Sequence, residues 1–341
     1  MAGCSFRAMP SEVYYLGDLR SGVRSALKLH FQSLRADVLL LYQPPGRLAW
    51  LLCALRWLTK PWNPRFVLVD IVFTKPWPGA IGTVVALLKW VLCKRVDLFI
   101  SFIKDVSQLG VYYGIREGQC RFVPFKVNRL ARSRALAPRS IGEYVFTGGR
   151  SRRDFSAFCR AMKDLPYPGI ILTPRHDEAL LHETDFDESH VPGNVRVVHD
   201  DGSIESWVGW IEGARIVVLV INEQSISPSG IGTYLEAMAL GKCVVITECL
   251  ATRAILHDGK EALVVRRGDP SALRDAIRRA WDDEDLCARV AETGRAYALS
   301  LGDERDLNQR FVDAVLDHFK ARSSQAESRT PGGHWVPGQG L

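Results

Sequence analysis

The chain has 341 residues, carries 44 Lys and Arg against 38 Asp and Glu for a net charge of +6, and is 47% hydrophobic; this is a soluble globular composition, too long for one ordinary core and suited to two domains of roughly 150 residues each. Eight scattered cysteines, Cys4, Cys53, Cys93, Cys120, Cys159, Cys243, Cys249 and Cys287, form neither a C-x-x-C pair nor a zinc-type spacing, which favours a reducing compartment, the cytosol, and no structural metal. The opening MAGCSFRAMPSEVYY has no basic-then-apolar signal pattern, and the longest apolar runs, Leu48 to Leu58 and Gly79 to Cys93, are interrupted by Arg56 and Lys89, so neither is expected to span a bilayer.

In chain order, the short stretch EVYYLGDLRSG precedes a helix expected from Ser21 to Leu34. From Ala36 apolar strands then alternate with helical runs: ADVLLLY and LAWLLCALRWL, RFVLVDIVF and GTVVALLKWVLC, VDLFISF and VSQLGVYYGI, closing with CRFVPF. Repeated β-α of this kind predicts a doubly wound sheet. The basic, proline-containing KVNRLARSRALAPR, from Lys126 to Arg139, reads as a linker. A second β-α series runs through EYVFT, GIILTP, NVRVVH, ARIVVLVI, KCVVIT and EALVVR and ends in helices between Ser271 and Lys320. The expected domains are 1–135 and 136–320, followed by a polar, Pro/Gly-rich tail at 321–341 that composition assigns to disorder.

The net charge conceals a division. Residues 1 to 140 hold 21 basic and 7 acidic residues, a net +14, whereas the remainder nets −8. Five of the nine tryptophans, Trp50, Trp57, Trp62, Trp77 and Trp90, fall between Pro44 and Lys104. Tryptophan beside Lys and Arg on apolar helices suits a surface resting on an anionic membrane, and it also suits solvated charges around core rings. No recognised nucleic-acid module accompanies the basic half, so no nucleic acid is expected as partner.

Residues 227 to 247 read SPSGIGTYLEAMALGKCVVIT. Turn residues precede a helical run from Thr233 to Leu240, Gly241 stops it, and a β-branched strand follows. With the apolar strand Ile216 to Ile221 upstream this is a βαβ unit, whose loop and helix N-terminus lie at the carboxyl edge of a parallel sheet. Backbone N–H groups of Gly230 to Thr233 there suit an anion, most naturally a phosphate. Thr233 and Glu236 alone also fit a capping box, with Thr233 as the cap.

SGIGTYLEAMALGKCVVIT resembles the nucleotide-sugar motif of GT-B retaining glycosyltransferases of the family-4 type (glycosyl transferases group 1). VFTGGRSRRDFSAFCRAM, from Val145 to Met162, is similar to that family's first strand of the C-terminal domain with its glycine turn and basic pair. GDPSALRDAI is similar to the segment after the last sheet strand, and VDLFISF with CRFVPFKVN resembles the end of the N-terminal domain. The resemblance covers most of residues 36 to 320. It implies an α/β fold of GT-B type, two tandem Rossmann-like domains with a cleft between them, the N-terminal domain abbreviated because its usual glycine-rich opening unit is missing. It further implies that Gly149, Gly230, Ile231, Gly232 and Thr233 hold a donor diphosphate, Glu236 the ribose hydroxyls, and Arg150 with Arg153 the leaving-group charge, so that no metal and no cofactor is needed.

Preorganised N–H donors and guanidinium groups suit that chemistry because a leaving nucleoside diphosphate gathers negative charge as the glycosidic bond breaks. Two departures stand out. The commonest family motif has a second glutamate eight positions before Glu236, where this chain has Pro228, and the histidine that often follows a middle N-terminal strand is replaced in VLVDIVF, which makes Asp70 the candidate there. His199, after NVRVV, lies at an expected carboxyl edge and is a further candidate for the donor cleft. Asp185 and Asp187 have the spacing of a metal-binding DxD pair but sit in an acidic, His-containing loop, HDEALLHETDFDESH, with no preceding strand. The expectation is a hexosyltransferase using a UDP- or GDP-sugar and a lipid-linked or saccharide acceptor, cytoplasmic and peripheral to the inner face of a membrane. Its alternatives are a related GT-B isomerase or phosphorylase, and a catalytically degenerate GT-B protein that binds a nucleotide or scaffolds a partner.

Overall fold

The computed structural model describes residues 22–59, 64–135, 142–175, 178, 180, 182–222 and 228–327. Most of EVYYLGDLRSG, Trp62, the end of the predicted linker, His176 and residues 328–341 of the predicted tail lie outside the described residues. Among the described residues, all strand pairings within the two sheets are parallel.

The first sheet has four strands, β1 (Val38–Tyr42), β2 (Arg65–Val69), β3 (Leu98–Ser101) and β4 (Cys120–Phe122), in the order β1-β2-β3-β4. Around it run α1 (Val23–Ser33), α2 (Gly46–Leu58), α3 (Ala80–Cys93) and α4 (Ser107–Tyr113). A sequential order joined by right-handed crossovers puts the connecting helices on one face. Accordingly Phe66, Leu68 and Phe99 pack with Ala26, Leu52 and Leu92. The alternate residues Val67, Val69, Leu98 and Ile100 join a different cluster, with Leu307, Phe311 and Val315 of the last helix, α11 (Glu304–Glu327). The expected double winding therefore fails in this half. Its second face is covered by a helix from the other end of the chain, with Tyr42 and Phe102 against Phe311. That helix also runs into the predicted tail, to Glu327.

The predicted linker is partly a docked element. It forms α5 (Leu130–Ala135), with Leu130 in the same cluster as Tyr234 and Leu235. The boundary expected at 135/136 falls between α5 and the second sheet.

That sheet comprises β5 (Tyr144–Gly148), β6 (Gly169–Thr173), β7 (Val195–His199), β8 (Ala214–Leu219), β9 (Cys243–Thr247) and β10 (Leu263–Val265), in the order β10-β9-β8-β5-β6-β7. Here the winding reverses between β5 and β8. The connecting helices α6 (Phe155–Met162), α7 (Ile204–Glu212) and α8 (Ile231–Ala239), with α9 (Pro270–Asp282) after the last strand, can then cover both faces, and α10 (Glu284–Ser300) follows α9. Strand alternation divides the core: Phe146, Val217, Leu219 and Val244 belong to one cluster, Val145, Ile216, Val218 and Val245 to another. Asp269 and Pro270 of GDPSALRDAI start α9, the aspartate accepting from the amides of Ser271 and Ala272.

Candidate active site

The carboxyl ends of β5 and β8 define the topological switch point of the second sheet, where an open α/β sheet leaves a crevice for a ligand. From β5 the chain turns through Gly149, whose φ of +123° is open to glycine alone at little cost. From β8 it reaches Gly230, φ +89°, the N-cap of α8. The first intrahelical bond runs from Tyr234 N to Gly230 O, 3.0 Å, which leaves the amides of Ile231, Gly232 and Thr233 directed out of the helix N-terminus.

Arg153 ties the two turns together. It is buried and donates from Nε to Gly148 O (3.0 Å), from Nη1 to Ser151 O (2.7 Å) and from Nη2 to Thr233 Oγ1 (3.2 Å). A Cβ on Gly149 would stand 2.6 Å from its Nη2, and one on Gly230 would stand 3.7 Å from its Nη1. Glycine at 149 is thus required by backbone angle and by the arginine together. Burial lowers the Arg153 pKa to about 10, which leaves it charged at neutral pH, a fixed positive group behind a helix end that already favours anions.

Glu236 lies one turn further along α8 and is buried. Its Oε1 accepts from Arg129 Nη1 and its Oε2 from Trp207 Nε1 at 2.9 Å. Thr233 is the third residue of the helix and bonds Arg153, so the capping-box alternative does not hold: the cap is Gly230, and Glu236 is engaged elsewhere. Sequence reading missed Arg129, which sits in the predicted linker, and Trp207 of α7. Nearby, Asn128 Nδ2 would lie 3.4 Å from a Cβ at Gly232, and Lys126 pairs with Glu304 at 3.0 Å. The segment joining the two sheets thus crosses the N-terminal end of α8.

Across the cleft, Asp70 follows β2 with φ +50°, a left-handed conformation that aspartate tolerates better than most residues. Gln43, beyond the end of β1 and also left-handed at φ +45°, donates to Asp70 Oδ2 at 2.7 Å. Burial raises the Asp70 pKa, and the Gln43 hydrogen bond opposes the rise. Asp70, Ile71, Phe73, Ser101 and Leu109 line a cavity that Pro228 closes from the other half. The position where the resemblance implies a glutamate therefore lines the same cavity as Asp70. The two halves also meet at Lys104, which donates to Ala254 O (2.8 Å), and at Asp105 with Arg253 (2.9 Å).

The structure separates Arg150 from Arg153. Arg150 is exposed, 3.3 Å from Asp200 and 3.8 Å from Glu178. Arg152 turns away to Glu183, at 2.8 and 2.9 Å. His199 ends the edge strand β7, two strands from β5, and lies 3.8 Å from Glu188. Asp187 caps a short turn, accepting from Ser189 N at 2.9 Å. Neither Asp185 nor Asp187 belongs to a group of three or more His, Cys, Asp or Glu side chains arranged for a metal among the described residues.

Residues 177–283, which contain β7, β8, α8 and β9, match the family described as Glycosyl transferases group 1. Over 81 residues the chain is 27% identical to EpsD of Bacillus subtilis (strain 168), a glycosyltransferase by name; the match spans 24% of this chain and 21% of that relative. Two solved structures superpose across both halves. Anabaena HepE in complex with UDP and glucose has a TM-score of 0.64 at 14% identity, covering 88% of this chain and 82% of its own. Sucrose-phosphate synthase from Thermosynechococcus elongatus has a TM-score of 0.62 at 16% identity, covering 91% and 82%. The fold is GT-B. Its switch-point crevice, bounded by the Gly149 turn and the N-terminus of α8, lies within the half that carries the glycosyltransferase match.

Proposed function

We propose that the chain transfers a hexose from a UDP- or GDP-sugar, with retention and without a metal, to an acceptor presented at the inner face of a membrane, in polysaccharide or glycolipid biosynthesis. The observation that carries this reading is the meeting of Gly149, Arg153 and the free amides of α8 at the switch point of a GT-B fold. The donor diphosphate lies on the amides of Ile231, Gly232 and Thr233, beside the Gly149 turn that makes room for Arg153. Arg153 supplies fixed charge from behind, and Arg150 closes on the phosphates from the rim once it leaves Asp200. Glu236, held by Arg129 and Trp207, takes the ribose hydroxyls through its remaining lone pairs. His199 lies further out, toward the donor-side rim.

These groups act on the transition state more than on the bound donor, since charge on the leaving diphosphate is greatest as the glycosidic bond breaks. On the acceptor side, burial keeps Asp70 more basic than an ordinary carboxylate, which suits it to accept the proton of an incoming hydroxyl. Support for a membrane-presented acceptor comes from the basic, Trp-rich first half, and no described helix is long and apolar enough to cross a membrane.

One observation favours a second reading. Pro228 stands where the resemblance implies a second glutamate, as suits a protein that holds a nucleotide without turnover. Release of UDP or GDP from a panel of donors, with and without crude lipid acceptor, separates the two. Acceptor-stimulated release supports transfer; a thermal shift with nucleotide but no release for any donor supports the second reading.

A further inference from the structure

We infer that α3, with the turn before it, is a single-leaflet insertion element for an anionic membrane. This rests on the proposal of a membrane-presented acceptor and assigns the contact to one helix. The two apolar runs of the first half have opposite fates. In α2, Leu48, Ala49, Leu52 and Cys53 are fully buried. In α3 only Gly82, Leu92 and Cys93 are buried, while Ile81, Val84, Leu87 and Leu88 are each more than half exposed, with Trp77 just before the helix and Val111 on the neighbouring α4. Exposed apolar surface this continuous marks an interaction site.

Charge and geometry identify the occupant. Residues 71 to 96 contain Lys75, Lys89, Lys94 and Arg95 and no acidic residue. The cations stand before the helix and around its C-terminal end. There, Lys94 lies 3.5 Å above the Trp90 ring and Arg95 3.5 Å above Trp57. Apolar surface bounded by tryptophan and basic side chains matches the acyl region, interface and anionic headgroups of one leaflet. At 14 residues, α3 is about 21 Å long, short of the ~30 Å hydrocarbon core, so it lies within a leaflet. A second copy of the same surface would meet it with more positive charge and no acidic partner in the segment.

The tip is built to stay compact. A Cβ on Gly82 would stand 2.6 Å from the Trp77 carbonyl carbon, so glycine there lets the Trp77 backbone fold against the first turn. Trp90, by contrast, packs over Gly114 and belongs partly to the core. Phe73, which lines the Asp70 cavity, and Tyr113 pack against each other at 4.8 Å between ring centroids, linking the base of this element to the acceptor side.

The test is vesicle flotation of the full chain and of the double variant Val84→Asp, Leu88→Asp, whose exposed positions leave the core intact. Wild type should float with phosphatidylglycerol–phosphatidylcholine vesicles, less with phosphatidylcholine alone, and keep part of its binding at high salt. The double variant should lose at least about tenfold in partitioning, with melting temperature and UDP binding unchanged. If it floats as well as wild type, α3 is not the element, although the membrane-presented acceptor survives. If wild type fails to float yet glycosylates a soluble saccharide, the membrane reading fails as well. If wild type is a dimer that the double variant converts to a monomer, and neither floats, α3 is a self-association surface and the inference is overturned.

Discussion

Arg129, from the segment that joins the two sheets, donates to Oε1 of Glu236 on the helix that begins at the switch point, while Trp207 holds the other oxygen. The pairing fixes the rotamer of a carboxylate that would otherwise be costly to bury. It also makes the inter-sheet segment a wall of the candidate donor site.

Arg129→Ala should therefore weaken UDP binding by about tenfold, or 1.4 kcal/mol, because Glu236 loses its preorganisation. The same change should lower stability by about 1 to 3 kcal/mol, since it leaves a buried carboxylate short of a donor. Arg129→Lys should restore much of the stability. Titration calorimetry with UDP beside a denaturant melt checks this; unchanged UDP affinity in a destabilised Arg129→Ala variant would make Arg129 a fold residue alone.

Glu236→Gln should cost about 1.5 to 3 kcal/mol of nucleotide-sugar affinity, as a neutral amide accepts ribose hydroxyls less strongly than a carboxylate. The comparison that matters is between nucleotides with ribose and with 2′-deoxyribose. If the hydroxyl is recognised, wild type should prefer ribose and the variant should lose that preference. Equal binding of both sugars by wild type would remove Glu236 from ribose recognition.

Arg153 and Arg150 should now part company. Arg153→Ala leaves Gly148 O, Ser151 O and Thr233 without a donor in a buried setting, so a loss of about 2 to 4 kcal/mol is expected. Arg150 is exposed and ion-paired on a rim, so Arg150→Ala should change stability by no more than about 0.5 kcal/mol while lowering kcat more than it raises the donor KM. A variant at Arg150 with wild-type turnover would confine it to its pairs with Asp200 and Glu178.

Much of this architecture is legible in the chain. Continuous apolar runs mark the buried parallel strands, and the glycines at 149 and 230 mark turns that only they can make. What fails to appear locally is whatever depends on strand order. Both halves read as the same β-α repeat, yet the first is wound in one direction and borrows α11 for its second face. α2 and α3 are similar apolar runs, and only their packing tells the buried one from the exposed one. His199 ends a strand as expected, but β7 is the edge strand, two strands from β5 at the switch point. Arg129 is 107 positions from its partner and stands in a basic, turn-rich stretch without periodicity, so no local signal separates it from the arginines around it.

Donor binding and turnover should persist in EDTA, because helix amides and Arg153 occupy the place a cation would otherwise fill. Asp185→Asn with Asp187→Asn should be equally silent toward added Mn²⁺, apart from a small loss at the turn Asp187 caps. Activity abolished by EDTA and restored by Mn²⁺ would contradict the proposed metal independence.

Asp70 should set the pH dependence of turnover. Burial raises its pKa above the ordinary 3.8, and the Gln43 hydrogen bond, which favours the charged form, holds the rise in check. If the carboxylate accepts the acceptor proton, the acid limb of the kcat/KM profile should lie above the ordinary carboxylate range. Gln43→Leu removes the donor and should move that limb to still higher pH. Asp70→Asn keeps the shape and the left-handed backbone preference but not the base, and should lower turnover by about 10²- to 10⁴-fold. Stability carries the same sign. Between 3.8 and the raised value the folded state binds more protons than the unfolded chain, so this contribution is complete below 3.8 and is lost as pH rises through the folded pKa. Asp70→Asn should flatten that slope. A wild-type acid limb that stays in place when Gln43 is replaced, with full turnover in Asp70→Asn, would leave the left-handed carboxylate as a cap between two strand ends and move the acceptor base elsewhere.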